Sequence, residues 1–492
     1  MTLSFLLIIP IIGAVLIALI PRSREALSKW LALATALVNL LVSLPLYFNF
    51  APGTGYQFEE FAAWIPSLNI NYHVGIDGLS LFLVLLTTFL SALSILSSWS
   101  AITERLKEYM ALMLLLETAM LGVFVSLDLF LFYLFWEASL IPMALLIGVW
   151  GGQRRVYASI KFIIYTMAGS ALMLVSALVL YVWADPNTSD LPTLVAQSNL
   201  PANLQVWLFF AFALAFAVKT PIFPLHTWLP AAHVEAPTAG SIILAGVLLK
   251  MGTYGFLRFA IPLFPVAVPF WSPLLIGLAV IGILYGALVA LYQEDVKSLV
   301  AYSSVAHMGY IVLGIFSGGQ QGLSGAVLQM INHGLSTGML FFMVGVLYEQ
   351  RHTRLFKEYG GIWVKVPVFG VFFLLAVFSS VGLPGLNGFV GEFVILLGTF
   401  RINWVAAALG TFGIVLAAWY LLTAVRRMMF GPFNPANEGL RDMNGREIGI
   451  ALALIVFCFV IGLFPNLLFD KINPATAELA NLVDGFTLLA GK

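Results

Sequence analysis

Fourteen apolar runs, each close to the length of a membrane crossing, succeed one another along this 492-residue chain. A helix spanning a bilayer takes about 20 mostly apolar residues. The runs cover roughly 3–20, 28–48, 77–98, 109–126, 128–149, 160–183, 205–225, 238–258, 270–292, 299–317, 322–348, 367–399, 404–429 and 447–465. They are too long and too continuous for the alternating strands of a membrane barrel. The predicted fold is therefore all-α and integral to a membrane, with fourteen transmembrane helices. Composition supports this, because only 9% of residues are charged, against about 25% in a soluble domain. Acidic and basic residues balance, so nothing in the charge points to nucleic acid. The segment from Met1 to Pro21 has no basic leader and no clear cleavage site, and reads as the first membrane helix.

Loop charge gives an orientation. Seventeen of the 23 lysines and arginines fall at loops after odd-numbered runs. Four (Arg258, Arg401, Lys471 and Lys492) follow even-numbered runs or the last one, and Lys219 and Lys250 lie inside runs. By the positive-inside rule the odd loops are cytoplasmic and both termini lie outside.

Two runs are interrupted. The seventh contains Lys219-Thr220-Pro221-Ile222-Phe223-Pro224 and the twelfth contains Gly382-Leu383-Pro384-Gly385-Leu386-Asn387-Gly388. Proline removes a backbone donor and clashes with the preceding turn, so both helices should break. Broken helices five runs apart suggest an inverted-repeat transporter; ordinary proline kinks are the alternative. The division that follows is an N-terminal three-helix segment (1–108), repeat 1 with broken helix 7 (109–258), repeat 2 with broken helix 12 (259–430), and span 14 with a short tail (431–492).

Each ionisable side chain at membrane depth costs about 2.5–3.5 kcal/mol on insertion scales. Glu117, Glu137, Lys219, Lys250 and Glu392 lie near mid-run, together with His226, His233, His307 and His333. Together they read as a polar axis through the bundle. Glu137 can act as a fixed charge or a proton carrier, and otherwise as a structural hydrogen-bonding group. Lys219 stands just before a break, where a carboxylate that opens and closes on it would switch it between holding and releasing a proton; snorkelling is the alternative. Lys250 lies mid-span with no loop within reach of its stem, which disfavours snorkelling without removing it as the alternative. His307 and His333 suit a relay, with neutral core histidines or haem ligation as the other readings. His226 and His233 suit proton uptake, or capping and packing. Glu392 suits proton release, or a local bond to freed backbone. Glu117 stands open between relay and structural partner. Asp295 and Lys297 read as a solvated loop pair, and His73 as an outer-loop residue with no role.

Redox chemistry within the chain is not indicated. Cys458 is the single cysteine, and there is no cysteine cluster, phosphate-binding loop or dinucleotide fingerprint. No metal or cofactor site is expected, and any energy for uphill transport must come from a partner or an ion gradient.

The stretch from Lys219 to Thr238 (KTPIFPLHTWLPAAHVEAPT) resembles the signature of the antiporter-like membrane subunits of respiratory complex I and of Mrp-type cation/proton antiporters. Asp295–Val305 (DVKSLVAYSSV) and Asn332-His333-Gly334 are similar to the same family. The resemblance covers nearly the whole chain. It implies fourteen helices, inverted repeats over spans 4–8 and 9–13, and a proton path through Glu137, Lys219, Lys250, His307, His333 and Glu392. A glutamate rather than a lysine at position 392 resembles the NuoM type, as does the stretch Gly75–Ser80 (GIDGLS). Little follows span 14, which sets the chain apart from the largest such subunit with its long lateral helix.

The implied setting is the bacterial inner membrane, beside other complex I membrane subunits, two further antiporter-like subunits among them, and lipid. NADH, FMN, iron–sulfur clusters and quinone would all reside in partner subunits. A sodium/proton antiporter subunit, a photosynthetic NDH-type or membrane hydrogenase subunit, and a passive spacer remain as alternatives.

Overall fold

The computed structural model describes residues 2–197 and 200–490. Met1 and Lys492, used in the reading above, lie outside the described residues. Among the described residues, twelve helices are long and apolar enough to cross a membrane. Helices are the expected solution, because lipid offers no partner to a backbone N–H or C=O. Two of the expected runs are shorter apolar helices, Leu81–Ser97 and Pro367–Val381. The second of these is followed, after a break, by Asn387–Ile402.

The bundle has a buried centre and an apolar rim. Thr238–Leu263, Val296–Phe316 and Gln320–Arg351 are almost wholly buried. Peripheral helices turn large apolar side chains outward, including Leu41, Trp207 and Trp419. Glycines set the central spacing. A Cβ on Gly252 would come within 2.4 Å of Thr220 Oγ1 and 2.7 Å of the Phe216 carbonyl oxygen. The helix carrying Lys250 therefore lies directly on the first break.

Both interruptions break their helices. Ala202–Lys219 ends before the prolines, and Trp228–Glu235 resumes after them. The indole of Trp228 donates to the Val218 carbonyl at 2.8 Å, which satisfies a group the break has freed. Pro367–Val381 ends at Gly382 in the left-handed conformation (φ +82°). There the ring Nε2 of His307 meets the freed Ser380 carbonyl at 2.9 Å.

Five features differ from the sequence reading. Gln57–Ile65 and Ile70–Ile76 pair as an antiparallel hairpin, where only a connecting loop was expected. His73 sits buried in that hairpin, bonded to Asp190 at 2.6 Å and Glu59 at 3.1 Å. Residues 466–490 form a helix of 25 residues instead of a short tail. Its apolar positions Leu468, Ile472, Ala475 and Leu479 are buried. It also packs onto Gln320–Arg351 through a Thr476–Ser324 bond of 2.7 Å. Lys297 is not in a solvated pair. It is buried near the start of Val296–Phe316 and donates to the Ala236 carbonyl at 2.5 Å. The Asp295 carboxylate is occupied instead by Arg354 (3.0 Å) and the Ser298 N–H. Arg258, counted with the loops, is likewise buried within its helix and paired with Asp77.

Candidate functional site

The buried charges fall into a connected group and an isolated one. The connected group begins at Lys250, on a helix whose regular turns are interrupted on both sides by π-helical segments, Leu244–Leu248 and Phe256–Ala260. Such wide turns leave carbonyls out of the normal ladder. The Lys250 ammonium donates to one of them, the Ala245 carbonyl. Its second contact is His333 Nδ1, at 2.7 Å. The His333 and His307 rings lie 5.8 Å apart, centre to centre. His307 Nε2 is then 3.5 Å from Glu392 Oε1.

Hydrogen bonding at His307 suits a proton carrier. Nδ1 faces the Ser303 carbonyl at 2.8 Å and Nε2 the Ser380 carbonyl at 2.9 Å. A neutral imidazole has one N–H, so only the doubly protonated ring donates to both carbonyls. Glu392 accepts from Gln329 at 3.2 Å, and Gln329 in turn accepts from Asn332 at 3.2 Å. Asn332 bonds the Asn387 carbonyl at 2.8 Å, which ties the second broken helix to Gln320–Arg351. Sequence reasoning missed Gln329, Asn332, Asn387 and Ser303. The signal was available: Gln329, Asn332, His333 and Ser336 recur at helical spacing in an otherwise apolar run.

The isolated group is Glu137 and Lys219. Lys219 is buried at the end of its helix, and its ammonium has no hydrogen bond. It lies 5.4 Å from the Trp136 ring centre and 5.6 Å from that of Phe162. Such faces attract a cation, but they accept no proton. Glu137 is half-buried beside Tyr133, with Oε1 unpartnered. Among the described residues no ion pair within 4.0 Å joins it to Lys219.

The remaining expected residues stand apart. His226 stacks on Phe223 with ring centres 5.6 Å apart. His233 stacks on Phe341 at 4.4 Å, and neither of its ring nitrogens has a hydrogen-bond partner. Glu117 lies among the N-terminal helices and accepts from Asn39 at 2.7 Å.

Outside the membrane-spanning segments, the His73–Asp190 pair locks the hairpin to the start of Leu191–Ala196, where Asp190 is the N-cap. Burial disfavours the charged imidazole. The adjoining carboxylates, Asp190 before Glu59, outweigh it and push His73 above the ordinary histidine range. Burial also opposes the Asp190 charge, but the bonds from His73 and Thr193 prevail and hold it below the usual aspartate range.

Residues 126–417, more than half of the chain, match the family model described as NADH:quinone oxidoreductase/Mrp antiporter, transmembrane. The chain belongs to this family. It is 46% identical to NADH-quinone oxidoreductase subunit M of Rhodobacter capsulatus, over 97% of this chain and 96% of that one. It is 43% identical to NADH-ubiquinone oxidoreductase chain 4 of Marchantia polymorpha, again over 97% and 96%. Among solved structures it matches a chain of respiratory complex I from Thermus thermophilus with bound NADH. That match has a TM-score of 0.91 and 34% identity, and covers 98% of this chain and all of that one. A chain of the Mrp complex from Dietzia sp. DQ12-45-1b shares the fold, with a TM-score of 0.84 at 24% identity, over 99% of this chain and 55% of that one. Within the family the chain is an antiporter-like membrane subunit of the NuoM type.

Proposed function

We propose that this chain is a proton-translocating subunit of a NADH:quinone oxidoreductase, driven by redox energy from partner subunits that carry the NADH, FMN, iron–sulfur and quinone chemistry. The observation that carries the reading is the run of contacts Lys250–His333–His307–Glu392, buried from a central helix to the second broken one. Protons enter from the cytoplasm near the Lys219–Trp228 break. Glu137 sets the affinity of Lys219 by pairing and unpairing with it. The proton passes to Lys250 and the two histidines, and leaves outside through Glu392. His226 and His233 line the uptake side.

Fourteen crossings, with both termini outside and inverted repeats over 109–258 and 259–430, accompany this reading. The two breaks support it, since each has a freed carbonyl held by a side chain, Trp228 of the resumed segment at one and His307 of another helix at the other. The neighbours would be other complex I membrane subunits, further antiporter-like ones included.

The test is to reconstitute the whole complex with Glu137→Gln and, separately, Lys219→Ala. Both variants should lose proton pumping relative to NADH oxidation. Normal pumping in both would overturn the relay.

A further inference from the structure

Glu117 takes no part in the contacts that join Lys250 to Glu392. It lies near the middle of Leu106–Val125 with no exposed surface. One of its oxygens, Oε1, accepts from Asn39 Nδ2 at 2.7 Å. The other, Oε2, is buried with no hydrogen-bond partner, and so is Asn39 Oδ1. Both unpartnered atoms are acceptors, and both belong to the same pair. An ionised Glu117 would leave the two of them empty and place an uncompensated charge at membrane depth, which is the most expensive arrangement open to a carboxyl group. A single hydrogen on Oε2, directed at Asn39 Oδ1, closes a cyclic acid–amide pair and satisfies both. An asparagine cannot supply that hydrogen from its own oxygen, so it must be a proton held by the acid.

Buried hydroxyls stand in the neighbouring turns, none of them hydrogen-bonded to Glu117 or to one another. Tyr109 precedes Glu117 by two turns on the same helix face and is fully buried. Ser91 and Ser94, on Leu81–Ser97, are buried with unpartnered hydroxyls. All three lie toward the membrane face on which Leu81–Ser97 ends and Leu106–Val125 begins.

We propose that Glu117 and Asn39 form a proton-holding acid–amide pair in the N-terminal helices, separate from the Lys250–Glu392 path.

Infrared difference spectra of the complete complex, native against Glu117→Gln, test this at neutral pH. The native complex should show a protonated-carboxyl C=O band that the variant lacks, and the band should shift down in D2O. The Glu117→Gln change keeps the side-chain volume and leaves an amide partner for Asn39, so assembly is expected. If the variant does not assemble, Asn39→Leu gives a second reading, because losing the amide partner should move the band to higher frequency without removing it. Carboxylate bands in place of the C=O band would overturn the protonated pair. A C=O band that never shifts in D2O would overturn its assignment to a proton-holding acid.

Discussion

The two halves of the buried axis are built differently. From Lys250 to Glu392 the groups follow one another closely: Lys250 bonds His333 Nδ1, the two histidine rings lie 5.8 Å apart with His333 Nε2 unpartnered, and His307 stands 3.5 Å from Glu392. At Glu137 and Lys219 the charged groups face aromatic rings and unpaired space. A connected half can pass a proton without rearranging much. An open half needs a movement before it can pass one at all. Under the proposed relay, this difference would put control at the first break and conduction in the second half.

The largest effect expected from breaking this contrast is at Lys250. Lys250→Ala removes the first bond of the connected half. Proton pumping, read as dye quenching per NADH oxidised, should fall by about 100-fold, the scale of a lost proton-transfer group. A near-native rate would show that conduction runs elsewhere. His307→Gln keeps one carbonyl contact but cannot carry the proton, and should cost a smaller factor in the same assay. A loss as deep as that of Lys250→Ala would mean the ring cannot be bypassed. Gly252→Ala sharpens the comparison from the open side. The added methyl meets Thr220 and the Phe216 carbonyl, and overpacking of this kind costs about 1–3 kcal/mol. Thermal denaturation of the purified complex would show the loss, and pumping should fall with it because Lys219 must shift.

The smallest effect is at the outer hairpin, far from either half. Asp190→Ala removes an N-cap and the His73 partner, and should cost about 1–2 kcal/mol locally. Faster amide exchange over 57–76 would record it. The native latch has a pH window. The His73 contribution is complete below the ordinary histidine pKa of about 6.5 and fades as pH rises through its raised folded value. The Asp190 contribution is complete above the ordinary aspartate value of about 3.9 and fades as pH falls through its lowered one. Hairpin protection should therefore be greatest between about pH 4 and 6.5. A flat profile across this range would remove the latch.

The spans were readable because a long apolar run has few other uses, and the breaks because Pro221, Pro224 and Pro384 interrupt two of them. Lys219, Lys250 and Glu392 stood out for their cost at that depth. The hairpin was not readable: 57–76 is short and mixed in polarity, and it becomes a hairpin by pairing with itself. The C-terminal helix spaces its apolar residues for a surface supplied by Gln320–Arg351, so by itself it reads as a tail. Arg258 and Asp77 are far apart in sequence, and nothing local announces their pairing. Lys297 sits two residues after Asp295, which suggested an ion pair. Its true acceptor is a backbone carbonyl, and a carbonyl has no sequence signature.

Asp128 begins Leu129–Ala138, the helix that bears Glu137. Its carboxylate also accepts from the hairpin backbone at Asn71 (3.3 Å) and from Ser189 (2.6 Å). A neighbour that tugged the hairpin sideways would therefore either drag the head of that helix with it or tear out its anchoring aspartate. The outer surface is mechanically geared to the helix that bears Glu137, with one side chain as the tooth.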